Sequence, residues 1–266
     1  MNKKTLQYIQ HYKLRILVTG GAGMIGRSVI RELKSLDEDV TIISLDNYST
    51  SRIIGDSKTI DGVRYLNCDI AKPHRMPDDK HKIYGDTVVR RRTGRVFDNL
   101  LDCDLGQGKY KHNDKFQMGN PDVIFHCAGL DYVLDVAKNV DNFEEYQHTD
   151  LYPMDLFDAN VVGTKNMLEF SIHGQNTGDV NRREYHKMKN CKYAQVFFIN
   201  CKPNYNKYAD EHKFTKSLAE EMCKFYHKQF NLNVGMFSFN DISIAEFCKK
   251  MVSHIGKDLN GKKYEF

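Results

Sequence analysis

Arg15-Ile-Leu-Val-Thr-Gly-Gly-Ala-Gly-Met-Ile-Gly26 is an apolar strand that runs straight into a glycine-rich turn and then a helix. Gly21, Gly23 and Gly26 satisfy Gly-x-Gly-x-x-Gly, and Gly20, Gly23 and Gly26 satisfy the wider Gly-x-x-Gly-x-x-Gly. At this spacing the glycines serve a tight turn, close approach of backbone to phosphate, and close helix–strand contact. The amides at the head of the helix, around Met24 and Ile25, and the positive end of its dipole then face an anion. The stretch reads as a socket for the pyrophosphate of a dinucleotide.

A second apolar strand, Val40–Leu45, follows the helix Met24–Leu36 and ends in Asp46-Asn47. Asp46 lies 20 positions beyond Gly26, where an acid bonds the adenosine ribose hydroxyls. A carboxylate there repels the extra phosphate of NADP, so NAD is the expected cofactor. Arg27 and Arg52 work against that preference.

The chain has 266 residues, enough for one large α/β domain with a full core. A net charge of +4, from 39 basic and 35 acidic residues, is too small to argue for nucleic acid. The seven cysteines, at 68, 103, 127, 191, 201, 223 and 248, form no Cys-x-x-Cys pair and are odd in number. Reduced thiols in a cytoplasmic compartment are expected. The 11 histidines show no metal-ligand spacing. Neither a signal peptide nor an apolar run of membrane-spanning length is visible, so a soluble protein is expected.

Strands and helices alternate, which predicts an α/β fold with a doubly wound parallel sheet. Expected strands are Leu14–Thr19, Val40–Leu45, Val63–Leu66, Asp122–His126, Ala194–Asn200 and Asn233–Phe237. Expected helices are Met24–Leu36, Leu156–Ile172, Asp210–Gln229 and Ile244–Ile255. Residues 72–120 and 173–192 break the rhythm as looped insertions. The first of these carries the basic run Arg90–Arg95, read as a solvated loop, and a helical stretch Val96–Cys103. The chain thus divides into an extension (1–13), the sheet domain (14–242), and a short C-terminal helix and tail (243–266).

These residues resemble the extended short-chain dehydrogenases, in particular the NAD-dependent epimerase/dehydratase enzymes acting on nucleotide sugars. Thr19-Gly-Gly-Ala-Gly-Met-Ile-Gly26 and Leu45-Asp-Asn47 look like the family's cofactor signature. Asn67-Cys-Asp-Ile70 is similar to the segment whose acid, here Asp69 beside Ile70, contacts adenine. Pro121-Asp-Val-Ile-Phe-His-Cys-Ala-Gly129 resembles the fourth strand and the small-residue turn, Cys127, Ala128 and Gly129, under the cofactor. Asn160-Val-Val-Gly-Thr-Lys-Asn-Met-Leu-Glu169 looks like the helix bearing a structural Asn, here Asn160. Phe125–Val133 is most like the polysaccharide-biosynthesis branch, which includes 4,6-dehydratases, with UDP-sugar 4-epimerases the next match. The resemblance implies a Rossmann-type sheet with a truncated C-terminal substrate domain, bound NAD, a nucleotide-sugar substrate, and a homodimer formed through helices Leu156–Ile172 and Asp210–Gln229.

The pattern departs at the chemistry. The family's Tyr-x-x-x-Lys falls on His212-Lys-Phe-Thr-Lys216, which keeps the lysine and places His212 at the tyrosine position. The Ser/Thr that ends the fifth strand falls on Cys201 or Asn200, and the Asp-Lys pair of the dehydratase branch on Lys202 and Pro203. Phe237-Ser-Phe-Asn-Asp-Ile242 replaces the usual Arg-x-x-Asn-x-Tyr-Gly-like turn that helps hold the sugar nucleotide. The i, i+4 spacing puts His212 and Lys216 on one helix face. Histidine starts with a pKa of about 6.5, and a neighbouring ammonium disfavours its charged form. Neutral His212 can therefore accept a proton from a sugar hydroxyl. Tyr205 and Tyr208 are discounted as substitutes, since Tyr208 is two turns and a further ~80° around the helix from Lys216. Cys201 is a weak hydroxyl replacement or a structural thiol. Two readings stay open: an active sugar-nucleotide enzyme using His212, Lys216 and Cys201, or a catalytically degenerate NAD-binding partner subunit, sensor or structural protein.

Overall fold

Ile16, Leu17 and Val18 are buried on both sides of their strand, and an unbroken apolar run of this kind marks the interior of a parallel sheet. The computed structural model describes residues 3–12, 14–47, 58–67, 70–71, 121–129, 156–173, 193–200, 209–240 and 242–266. Arg52, Asp69, the Arg90–Arg95 run, the stretch Val96–Cys103, Cys201, Lys202, Pro203, Tyr205 and Tyr208 lie outside them. So do residues 72–120 and 174–192.

In chain order the elements are α1 (Lys3–Tyr12), β1 (Arg15–Thr19), α2 (Met24–Leu36), β2 (Thr41–Asp46), β3 (Lys58–Ile60), β4 (Val63–Asn67) and β5 (Val123–His126). A π turn over Asp158–Val162 leads into α3 (Gly163–His173). Then follow β6 (Gln195–Ile199), α4 (Ala209–Phe230), β7 (Val234–Ser238), α5 (Ile244–Val252) and β8 (Lys263–Glu265). The sheet order is β3-β4-β2-β1-β5-β6-β7-β8. All neighbours are parallel except β3 and β4. Asp61 and Gly62, which join that antiparallel pair, both take positive φ (49° and 72°), the geometry of a two-residue hairpin loop.

Side chains alternate between the two faces of each strand. On one face Ile16, Val18, Phe125, Phe197 and Phe237 pack with Val29 and Leu33 of α2 and Phe247 and Met251 of α5. On the other, Leu17, Ile43, Ile124, Phe198 and Met236 pack with Met167 and Leu168 of α3 and Ala219 and Cys223 of α4. The architecture is the expected Rossmann-type doubly wound sheet. An aromatic row crosses four strands: Phe125 on Phe197 at 4.5 Å, Phe197 on Phe237 at 5.2 Å and Phe237 on Tyr264 at 4.7 Å between ring centroids. Full burial of each such phenylalanine contributes about 1.5–3 kcal/mol.

Five elements differ from the sequence expectation. Helix α1 lies in the N-terminal extension, buries Ile9 in the core beside α2 and α5, and Thr5 Oγ1 donates to Ser253 O at 3.4 Å. Strand β3 is an exposed edge without an apolar pattern. The C-terminal stretch carries a strand, β8, which pairs Met236 with Lys263. The helix expected over Leu156–Ile172 passes through the π turn, whose extra residue shifts the buried face and explains its imperfect periodicity. Helix α5 starts at the N-cap Ser243, whose Oγ accepts from Glu246 N at 3.2 Å. It stops at Val252, three residues short of the expected end.

Candidate functional site

Strands β1 and β5 are adjacent, and the chain order runs away from them in opposite directions. In an open α/β sheet this reversal leaves a crevice beyond the carboxyl ends of the strands. The glycine turn fills one wall of it. Gly20 takes φ +67°, its amide donates to Leu45 O at 2.7 Å, and Gly23 N donates to Gly20 O at 3.0 Å. A side chain at Gly26 would overlap Gly20 O, so α2 approaches the turn only because that residue is glycine. The first helical bond runs from Arg27 N to Gly23 O at 3.0 Å. The amides of Met24, Ile25 and Gly26 therefore precede the ladder, and the N-cap Gly23 supplies no side-chain bond. Among the described residues, a Cβ on Gly23 would meet Gly20 O alone within 4 Å, at 3.1 Å, so they leave its outer face clear for a phosphate.

The tip of β2 stands beside this turn. Asp46 Oδ2 accepts from Ala22 N at 2.9 Å, with exposed Asn47 next to it. Beneath lies Ser44 Oγ, fully buried and without a hydrogen-bond partner among the described residues; it sits against Gly21, where a Cβ would overlap it. Ile70 is buried against Gly163, and its carbonyl accepts from Asn166 Nδ2 at 2.8 Å. A turn that only glycine can form, amides outside the ladder and a carboxylate one strand away fit a dinucleotide.

On the other side of the crevice, Cys127 N donates to Thr19 O at 3.2 Å and Ala128 N to Thr19 Oγ1 at 3.1 Å. A Cβ on Gly129 would lie 2.6 Å from Lys216 Nζ and 2.8 Å from Asn160 Oδ1, so both polar atoms converge on that glycine. Lys216 is buried, donates to Ile199 O at 3.4 Å and lies 5.3 Å above the Phe198 ring. One turn earlier on α4, His212 is only 1% exposed. Burial, and secondarily the Lys216 charge, push its pKa down to about 4. The inward face of α4 runs through His212, Thr215, Lys216, Ala219, Glu220 and Cys223. Asn200, at the end of β6, donates through Nδ2 to Glu220 Oε1, whose Oε2 pairs with Lys263 Nζ of β8.

The fold thus gathers Gly20, Gly21, Gly23, Met24, Ile25, Gly26, Asp46 and Asn47 on one side of the crevice. Cys127, Ala128, Gly129 and Lys216 stand on the other, with His212 one helical turn behind. Sequence reasoning did not single out Thr19, His126, Thr164 and Thr215, which are linked in series through Asn160 behind this second group. Their signal was present only as the pairs Thr19-Gly20 and His126-Cys127 flanking the turns.

The sequence profile described as the NAD dependent epimerase/dehydratase family matches residues 16–240. A Sinorhizobium fredii protein named "Probable dTDP-glucose 4,6-dehydratase" is 24% identical over 187 residues, covering 69% of this chain. The chain spans 39% of that protein's length. WbmF of Bordetella bronchiseptica, solved with NAD+ and UDP, has a similar fold at TM-score 0.56 and 12% identity, over 96% of this chain and 73% of its own. DesIV of Streptomyces venezuelae, a dTDP-glucose 4,6-dehydratase solved with NAD, aligns at TM-score 0.53 and 14% identity, over 95% of this chain and 75% of its own. The match over residues 16–240 covers most of the molecule, including the glycine turn, Asp46, the Cys127–Gly129 turn and Lys216. The chain belongs to the NAD dependent epimerase/dehydratase family.

Proposed function

We propose that the protein binds NAD across the Gly20–Gly26 turn and oxidises a UDP- or dTDP-sugar at C4, in a 4,6-dehydration or a 4-epimerisation. The observation that carries the reading is the convergence of Lys216 Nζ and Asn160 Oδ1 on Gly129, across the crevice from the phosphate turn. The turn amides would hold the pyrophosphate, Asp46 the adenosine ribose, and the Cys127–Gly129 turn the opposite half. NAD, when bound, supplies an acceptor for the hydride leaving C4. Neutral His212 takes the C4 hydroxyl proton, and burial, with Lys216 second, keeps the imidazole uncharged until it does. Asp46 favours NAD over NADP. The relatives that carry sugar-nucleotide names or ligands support the substrate class.

A second reading rests on one observation: His212 is almost wholly buried, which suits a packed residue better than a base meeting substrate. In that case the chain is an NAD-binding partner subunit, sensor or structural protein. Incubation of purified protein and NAD with UDP-glucose, UDP-N-acetylglucosamine and dTDP-glucose, followed by NMR and mass spectrometry, separates the two. The enzyme reading expects a 4-keto or epimerised sugar, lost in His212→Ala and Lys216→Ala. Tight NAD binding without any conversion selects the second.

The same reading includes a homodimer and a cytoplasmic setting. Phe214 and Phe225, 61% and 54% exposed, lie with half-buried Leu218 and Met222 along one stripe of α4 at the margin of the core, a surface suited to a second copy. Light scattering on wild type and Phe225→Glu tests it, with a dimer expected for the first and a monomer for the second. Cys223 and Cys248 are buried in the two cores, a setting that suits reduced thiols in a reducing compartment.

A further inference from the structure

Thr19, the last residue of β1, hydrogen-bonds to a histidine that no catalytic step above employs. Thr19 Oγ1 accepts from Ala128 N at 3.1 Å and meets His126 Nδ1 at 2.7 Å. The other ring nitrogen, Nε2, meets Thr164 Oγ1 at 2.9 Å, and Thr164 Oγ1 donates to Asn160 O at 2.5 Å. Asn160 Nδ2 in turn donates to Thr215 Oγ1 at 3.0 Å, and that hydroxyl donates to His212 O at 3.0 Å.

The proton directions in this chain are determined by its ends. A backbone carbonyl only accepts, so the Thr164 hydroxyl proton goes to Asn160 O and its oxygen is left to accept from His126 Nε2. Nε2 therefore carries the ring proton, and Nδ1 accepts the proton of Thr19. The same logic fixes the Asn160 amide: Thr215 has given its proton to His212 O, so it accepts from Nδ2, and Oδ1 is turned toward Gly129 and Lys216. His126 is 1% exposed and its ring lies 5.8 Å from that of Phe198, so bulk water does not compete for either ring nitrogen. Burial, with Lys216 nearby, disfavours the imidazolium.

We infer that His126, held as the neutral Nε2–H tautomer, is a positioning residue that sets Ala128 through Thr19 and Asn160 through Thr164, and so aligns the Lys216 side of the crevice with the phosphate turn. The inference rests on the cofactor reading above. With the pyrophosphate on the turn and adenosine on the Asp46 side, Gly129, Asn160 and Lys216 face the nicotinamide half. The relay therefore acts on that half of the ligand and leaves the adenosine half alone.

Two measurements test it. Long-range 1H–15N NMR of histidine-labelled protein at pH 7 reports the tautomer: protonated Nε2 with bare Nδ1 is expected, and the reverse tautomer or an imidazolium overturns the inference. Calorimetry then compares NADH with ADP-ribose, which lacks nicotinamide, on wild type, Thr164→Val and Thr164→Ser. Thr164→Val removes the hydroxyl link at nearly constant shape, leaving His126 without its acceptor. NADH affinity should fall about tenfold in Thr164→Val, ADP-ribose affinity should hold, and Thr164→Ser should restore NADH. Equal weakening of both ligands, or no change in either, overturns the positioning role and leaves the relay as packing. If wild type takes neither ligand, the cofactor reading itself fails and the inference falls with it.

Discussion

Asp46 Oδ2 accepts the amide proton of Ala22 at 2.9 Å, so the tip of β2 holds the glycine turn directly. One carboxylate oxygen anchors the turn, and the other side of the group is the proposed ribose acceptor. Asp46→Ala removes both. Hydrogen bonds to a charged group contribute about 1.5–3 kcal/mol, so NAD affinity should drop about tenfold or more by calorimetry, and the preference over NADP should narrow. An unaltered affinity would count against the ribose role.

Gly26→Ala tests the turn itself. The added methyl collides with Gly20 O, a backbone atom that cannot swing aside, so either α2 or the turn must shift. Overpacking of this kind costs about 1–3 kcal/mol. Chemical denaturation should show that loss, with NAD binding abolished. A variant that matches wild type in both would mean the turn is looser than described.

The depressed His212 pKa sets a pH profile. Its proton-accepting form is neutral, and burial with Lys216 brings the pKa from 6.5 down to about 4. The base is therefore present throughout neutral and mildly acidic pH. In the enzyme reading, kcat/KM should be flat from pH 8 to about 5 and fall only as pH drops through about 4. An acid limb near the ordinary histidine value would assign the proton transfer to another group.

His126 makes the fold sensitive to acid. Burial, then Lys216, lower its pKa from 6.5 to about 3, so between those values the unfolded chain binds a proton that the folded chain does not. Stability is complete above the unfolded value and is lost progressively as pH falls below it. By linkage the contribution of this one ring amounts to about 2 kcal/mol by pH 5. Urea unfolding at pH 7 and pH 5 should show a larger loss in wild type, because buried His212 adds to it, and a loss smaller by about the His126 contribution in His126→Asn, which cannot titrate there. Equal pH dependence in the two proteins would place the acid sensitivity elsewhere.

Strands buried on both faces leave unbroken apolar runs, which is why β1, β2, β5, β6 and β7 could be read from the chain to within a residue or so at each end. The exposed margins leave no such trace. Lys58–Ile60 is an exposed edge, although the Asp61-Gly62 pair that turns it is a hairpin signal. Lys263-Tyr-Glu265 points two charges outward and is recognisable as a strand only once Tyr264 is seen stacked on Phe237. At the site, the glycine spacing and the acid beyond it are local patterns and were visible in sequence. The Thr19–His126–Thr164–Asn160–Thr215 relay draws one residue or two from each of four elements, so no local spacing encodes it. The burial of His212 was hidden for the same reason: it depends on what packs against α4, and i, i+4 geometry says nothing of that.

Isothermal titration of the protein with NAD+ and with NADH addresses the central claim most directly. Saturable heat at one site per chain, lost in Gly26→Ala and weakened in Asp46→Ala, is the expected result. No detectable binding of either form to wild type would contradict the account.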